Sequence, residues 1–130
     1  MLNQFSRTEM LIGEEGINRL NDSKVAIFGI GGVGSYVAEA LARCGVGKFI
    51  LVDNDKVTIT NINRQIIATT KTIGLYKVDL MKQRTLDINP EAKIETYKTF
   101  YMPDCNEKIL DSSVSYVVDA IDTVTAKIFL

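Results

Sequence analysis

The chain has no histidine and no tryptophan, and only two cysteines and two prolines in 130 residues. Without histidine there is no His-based triad, no His-ligated metal and no imidazole for acid–base work. Cys44 and Cys105 stand far apart and outside any CxxC pattern, so neither a disulfide framework nor a cysteine metal site is visible. The formal net charge is −1, so no basic footprint announces nucleic acid. The opening MLNQFSRTEM lacks the apolar centre of a secretory leader, and no apolar run approaches the length needed to span a bilayer. These absences lead us to expect a reduced, cytoplasmic setting and no membrane partner. Chemistry is left to carboxylates, lysine, arginine, hydroxyls and backbone amides.

What is present is ordinary for one globular domain: 46% hydrophobic and 24% charged residues. GEEGINRLN, residues 13–21, reads as a short helix carrying Ile17 and Leu20. Asp22 and Ser23 turn the chain into a strand, Val25 to Phe28. Val33, Val37, Leu41 and Cys44 then recur at helical spacing, which predicts a helix with Cys44 in its core stripe and Gly45 as its stop. KFILVD, residues 48–53, has the short apolar run of a buried parallel strand. After a polar stretch, Asn54 to Thr72, residues 74–90 predict a helix that ends near Pro90, because the residue before proline resists helical geometry. AKIETYKTF alternates as a strand, PDCNEKILDSS reads as a helix, and VSYVVDA as a further strand. Strands alternating with helices argue for an α/β fold: a Rossmann-like parallel sheet with helices on both faces. The last residues, SYVVDAIDTVTAKIFL, read as a strand and the first turns of a helix. We therefore expect residues 1–130 to be the N-terminal part of a longer nucleotide-binding domain.

Gly29, Gly31 and Gly34 form G-x-G-x-x-G directly after a strand and at the start of a helix, with Gly32 leaving the loop barer still. The first glycine permits a tight turn, the second lets backbone approach a phosphate, and the third lets helix and strand pack closely. The helix N-terminus adds free amides and a positive dipole end. Asp53 ends the second strand, where a carboxylate can grip ribose hydroxyls. An adenine nucleotide follows from this context; whether NAD or ATP does not.

The polar stretch bears on that choice. DNDKVTITNINRQ places Asp53, Asp55, Asn61, Asn63 and Arg64 just beyond the second strand, at the end of a parallel sheet that faces the ligand crevice. An NAD site needs little there beyond the ribose carboxylate. A planar guanidinium flanked by carboxamides suits a triphosphate better, although the same composition would serve a solvated loop. Lys77, opening the next helix, could reach phosphates or lie on the surface. Asp119 and Asp122 close the fourth strand on the same side. A carboxylate there could hold Mg²⁺ through waters, and Asp122 could equally cap the helix that follows it.

GIGGVG, LVDND, NINRQ, IGLYK and VVDAID, in this order and spacing, resemble the ThiF/MoeB/HesA superfamily, the adenylating enzymes related to ubiquitin-activating enzyme. The resemblance runs from Phe5 to the end, and among the branches the chain looks closest to the tRNA threonylcarbamoyladenosine dehydratases. It implies ATP and Mg²⁺ as cofactors. It places Gly29, Gly31, Gly32 and Gly34 at the nucleotide and Asp53 at its ribose. Asn61, Arg64 and Lys77 would lie at the phosphates, and Asp122 at Mg²⁺. Arg7 matches an arginine that family members reach across a dimer interface into the partner's site, so a homodimer is implied. The reaction implied is adenylation of a carboxylate by ATP. The carboxylate would belong to a threonylcarbamoyl group on tRNA adenosine or, in a sister branch, to the C-terminal glycine of a ubiquitin-like sulfur-carrier protein. Lys127 stands where carrier activators have an arginine, which favours the tRNA branch. An NAD-dependent oxidoreductase and a non-catalytic nucleotide-binding module are the readings from other classes.

Overall fold

The computed structural model describes residues 2–99 and 109–121. Asp122, Cys105 and most of the helix expected over residues 103–113 lie outside the described residues. Four parallel strands form the sheet: β1 (Lys24–Phe28), β2 (Lys48–Val52), β3 (Lys93–Tyr97) and β4 (Tyr116–Asp119), in the order β3-β2-β1-β4. The chain builds outward from β1 through β2 to β3, then returns to the other side of β1 with β4. That reversal opens a crevice at the carboxyl ends of β1 and β4, the usual ligand position in such sheets. The expected Rossmann-like architecture is the one observed.

Strand residues alternate between two apolar layers. Val25, Ile27, Phe49 and Leu51 face one side, where they meet residues of α2 (Gly34–Cys44) and α3 (Lys77–Ile88). Ala26, Phe28, Ile50 and Val52 face the other, against Ile109, with Tyr97, Leu110, Val114 and Ile121 at the rim. Ile27 and Phe28 are fully excluded from water, each contributing about 1.5–3 kcal/mol by burial. The sheet is therefore rigid where β1 hands the chain to the glycine loop.

Two expectations about the helices need correction. The helix expected over residues 13–21 is the second half of α1 (Ser6–Asp22), which is broken at Gly13 with φ 77° and ψ 171°, a backbone region essentially restricted to glycine. The first half escapes a periodicity reading because Met10, Leu11 and Ile12 are contiguous, and all three are exposed. In α2 the expected stripe is not the buried face. Val33 and Cys44 are exposed and Val37 and Leu41 only half-buried, whereas Gly34, Ser35, Ala38, Glu39 and Ala42 are buried. The cause is steric. A Cβ on Gly34 would stand 1.7 Å from the carbonyl oxygen of Gly29, so helix and loop approach so closely that only small side chains fit between α2 and the sheet. The bulkier residues are displaced to the flank.

Glu39 joins α2 to α3. Its carboxylate accepts from Arg84 Nη2 at 3.2 Å and from Arg84 Nε, and from Arg43 Nε at 3.0 Å. The Arg84 hydrogen bond, against the opposing effect of burial, holds the Glu39 carboxyl below the usual carboxylate range. At the opposite end of the sheet from the crevice, the Phe5 ring packs at Gly45 and Gln4 Nε2 donates to Ile88 O at 3.2 Å, tying the start of α1 to the C-terminal ends of α2 and α3.

Candidate functional site

The residues singled out by spacing converge at the carboxyl ends of β1 and β2. Gly29 leaves β1 with φ 96°, and a Cβ there would lie 2.4 Å from the carbonyl oxygen of Ala120, just past β4. Gly29 and Gly34 are thus required by the fold itself. Gly31 and Gly32 are not. A Cβ on Gly31 would meet only Gln65 Nε2 at 3.5 Å, and one on Gly32 only Arg64 and its stem, at 3.7 Å and beyond. Neither has positive φ. The fold has room for side chains at these two positions, so packing within the described residues does not require glycine there. The loop closes as Ser35 N–H donates to Gly31 O at 3.1 Å, with the Ser35 hydroxyl on the same oxygen.

Asp53, one residue past β2, fixes the loop from the side. Its Oδ2 accepts the Ile30 N–H at 2.7 Å and its Oδ1 accepts the Asp55 N–H at 2.8 Å. Each oxygen keeps a lone pair for a hydroxyl donor, so the ribose assignment is compatible with this pairing.

The polar stretch is built rather than loose. Val57 N–H donates to Leu75 O at 2.9 Å, Gly74 N–H to Val57 O at 2.8 Å, and Lys77 N–H to Asp55 O at 3.1 Å. Asn61, in a single 3-10 turn (Ile59–Asn61), is buried and accepts the Thr58 N–H on Oδ1 at 2.9 Å. Asn61 O in turn receives the N–H groups of Arg64 (3.2 Å) and Gln65 (3.0 Å). Arg64 is exposed and crosses Gly32, with Nη1 donating to Thr60 O at 2.9 Å and to exposed Asn63 Oδ1 at 3.0 Å. Those two acceptors orient the guanidinium, and Nε and Nη2 make no hydrogen bond to the described residues.

Lys77 is 5% exposed, and its Nζ lies 3.9 Å from Asp55 Oδ2. It also opens α3, where the helix dipole disfavours a cation. A lysine so largely buried at a helix N-terminus, with its carboxylate partner beyond hydrogen-bond length, is poorly explained by stability alone. Beside it, the Tyr76 ring carries two ammonium groups, Lys56 Nζ at 4.9 Å and Lys98 Nζ at 4.6 Å from its centroid. Sequence reasoning did not single out this lysine–tyrosine wall.

Arg7 is not brought to this site. It is exposed on the first turn of α1, next to the end of α2 that lies farthest from the glycine loop. The 11 residues of α2 separate the two ends by about 16 Å of helical rise. Asp119 ends β4 in register with Phe28, and its Oδ1 accepts the Ile121 N–H at 3.2 Å. One buried residue of the site was overlooked although it sits inside the quoted NINRQ box. Gln65 is 6% exposed, with Nε2 over Gly31 and Oε1 lacking any hydrogen-bond partner.

With this geometry in hand, comparison with known proteins is specific. The ThiF family model matches residues 5–130. A tRNA threonylcarbamoyladenosine dehydratase of Bacillus subtilis is 54% identical over 130 residues, which are 100% of this chain and 51% of that protein. The crystal structure of Escherichia coli tRNA N6-threonylcarbamoyladenosine dehydratase in complex with ATP superposes with a TM-score of 0.92 at 43% identity, covering 95% of this chain and 51% of that one. More distantly, ubiquitin-like modifier-activating enzyme 5 of Caenorhabditis elegans is 35% identical over 84% of this chain and 28% of its own length. The chain spans about half the length of the dehydratases it matches.

Proposed function

The chain belongs to the ThiF family, and on that premise we propose that it forms the ATP-binding part of an adenylating enzyme acting on the threonylcarbamoyl group of a tRNA adenosine. The observation that carries the reading is the bare Gly31–Gly32 backbone, crossed by Arg64, together with a largely buried Lys77 that opens α3 next to Asp55. Cationic side chains on the elements that flank unobstructed amides suit a polyphosphate. The names of the dehydratase relatives, one solved with ATP, support the nucleotide and the tRNA substrate.

In this reading Asp53 takes the ribose hydroxyls, with Asp55 beside it. Gly29, Gly31, Gly32 and Gly34 cradle the phosphates, and Asn61, Asn63, Arg64 and Lys77 surround the β- and γ-phosphates. Mg²⁺ enters as part of the nucleotide substrate, with Asp122 as its protein carboxylate. An already ionised carboxylate oxygen attacks the α-phosphorus, the bond to the bridging oxygen breaks, and pyrophosphate leaves with the electron pair. Lys77 and Arg64 offset the charge that develops on the leaving group. A nitrogen of the same modified nucleoside then attacks the activated carbonyl carbon, loses its proton and expels AMP. No imidazole is needed at either step, in keeping with a chain that has no histidine. Arg7, remote from the site of its own chain, acts in the site of a second copy, which makes a homodimer in the cytoplasm the functional unit.

Calorimetric titration with Mg·ATP and NAD, on this chain and on Arg64→Ala, tests the reading. We expect Mg·ATP to bind and the variant to lose about tenfold or more in affinity. Tighter binding of NAD, indifferent to Arg64, would overturn it. Once ATP binding is established, pyrophosphate exchange driven by threonylcarbamoylated tRNA, but not by a ubiquitin-like carrier protein, is the expected discrimination.

A further inference from the structure

Among the described residues, Gln65 lies buried against the glycine loop with no role assigned above. It is 6% exposed, and its backbone N–H is fixed on Asn61 O at 3.0 Å. Its side chain reaches over the glycine loop and sets Nε2 3.5 Å from the point where a Cβ on Gly31 would stand. Its Oε1 is excluded from water with no hydrogen-bond partner. A buried acceptor left unsatisfied is costly to the fold. Burying a carboxamide here is therefore a poor choice for packing, since an apolar side chain of the same length would avoid the cost. Thr85 Oγ1 in α3 is likewise buried without a partner, but a hydroxyl there is nearly isosteric with a methyl, whereas a whole carboxamide buried against the glycine loop points to function.

Resting on the nucleotide reading above, we propose that Gln65 is a phosphate-contacting specificity residue: its Nε2 donates to the nucleotide phosphate that the bare Gly31 admits. A neutral carboxamide suits this position. It supplies a donor without adding a third cation to Arg64 and Lys77, and it cannot repel phosphate as a carboxylate would. The chemistry recognised is a phosphate ester held against the loop, and the nucleoside part makes no use of the residue.

The test compares ATP with adenosine on wild type, Gln65→Met and Gln65→Glu, by calorimetry, alongside thermal unfolding. Gln65→Met removes both the donor and the orphan acceptor at nearly constant shape. We expect it to raise the unfolding midpoint while weakening ATP about tenfold, with adenosine affinity unchanged. Gln65→Glu, of the same shape but charged, should weaken ATP further and again spare adenosine. Equal losses for ATP and adenosine, or an unchanged ATP-to-adenosine ratio in Gln65→Glu, would overturn the proposal and leave the nucleotide reading intact. Wild-type chain that binds neither ATP nor any other nucleotide would overturn both.

Discussion

The four glycines of the loop divide into two kinds, and the division can be measured with alanine. At Gly34 the added methyl carbon would stand 1.7 Å from the Gly29 carbonyl oxygen. Relief requires more than an ångström of movement by backbone, at the junction of β1 and α2. That exceeds ordinary overpacking, which costs about 1–3 kcal/mol, so Gly34→Ala should lose at least about 3 kcal/mol. At Gly31 the same methyl meets only Gln65 Nε2 at 3.5 Å, an ordinary contact, and φ is not positive. There Gly→Ala should be neutral or stabilise by about 0.4–1 kcal/mol through the unfolded chain. Its effect falls on the ligand instead. If the methyl displaces a phosphate from one or two amide donors, each worth about 1.5–3 kcal/mol to a charged acceptor, ATP affinity drops at least about tenfold. Urea unfolding and ATP titration on the two variants give the pair of numbers. A Gly31→Ala protein as unstable as Gly34→Ala, or one that binds ATP like wild type, would refute the division and with it the placement of phosphate over Gly31.

Two further outcomes follow from the helices. The Glu39 carboxyl is held below the usual range chiefly by its hydrogen bond from Arg84, so its contribution is present above the unfolded carboxyl value of about 4.3 and is lost as pH falls through the lower folded value. Glu39→Gln should therefore cost about 1–2 kcal/mol at pH 7, a gap that narrows below about pH 4; a gap independent of pH in urea unfolding would contradict this. Cys44, expected in the core from spacing, is exposed, so in a Cys105→Ser background it should react with a thiol reagent under native conditions. Reaction only after denaturation would restore the core assignment.

These corrections mark where the sequence was legible. β1 and β2 announce themselves because they are buried on both faces, with Ala26, Ile27, Phe28, Ile50 and Leu51 almost wholly excluded from water, and such strands leave uninterrupted apolar runs. The end of α3 was readable because Pro90 acts through local sterics. The buried face of α2 was not. Periodicity weighs apolar bulk, and this interface is made of Gly34, Ser35, Ala38 and Ala42, selected by a backbone distance that no single-residue property encodes. Gln65 went unassigned for a related reason. Nothing in its own residue type separates a solvated glutamine from one held over a glycine, and only the Asn61 turn beneath it makes the difference.

The same turn decides what the polar stretch is. Composition alone allowed a solvated loop from Asn54 to Thr72, yet Val57, Ile67 and Ala68 belong to the main core cluster, and Asn61 and Gln65 are buried with them. A loop that only needed solubility would not bury apolar anchors at both ends and carboxamides between them, because each buried polar group then demands a partner. Asn61 finds its partner in the Thr58 amide; Gln65 Oε1 finds none. The anchors fix the stretch across the carboxyl end of the sheet, and the backbone bonds from Lys77 to Asp55 and from Val57 to Leu75 hold its two ends together. Arg64 and Lys77, thirteen positions apart in sequence, are thereby both carried on main chain that is bonded at each end of the stretch. Cations held on such preorganised backbone would serve the adenylation proposed above, since the cost of ordering them is met in folding rather than at the moment of bond exchange.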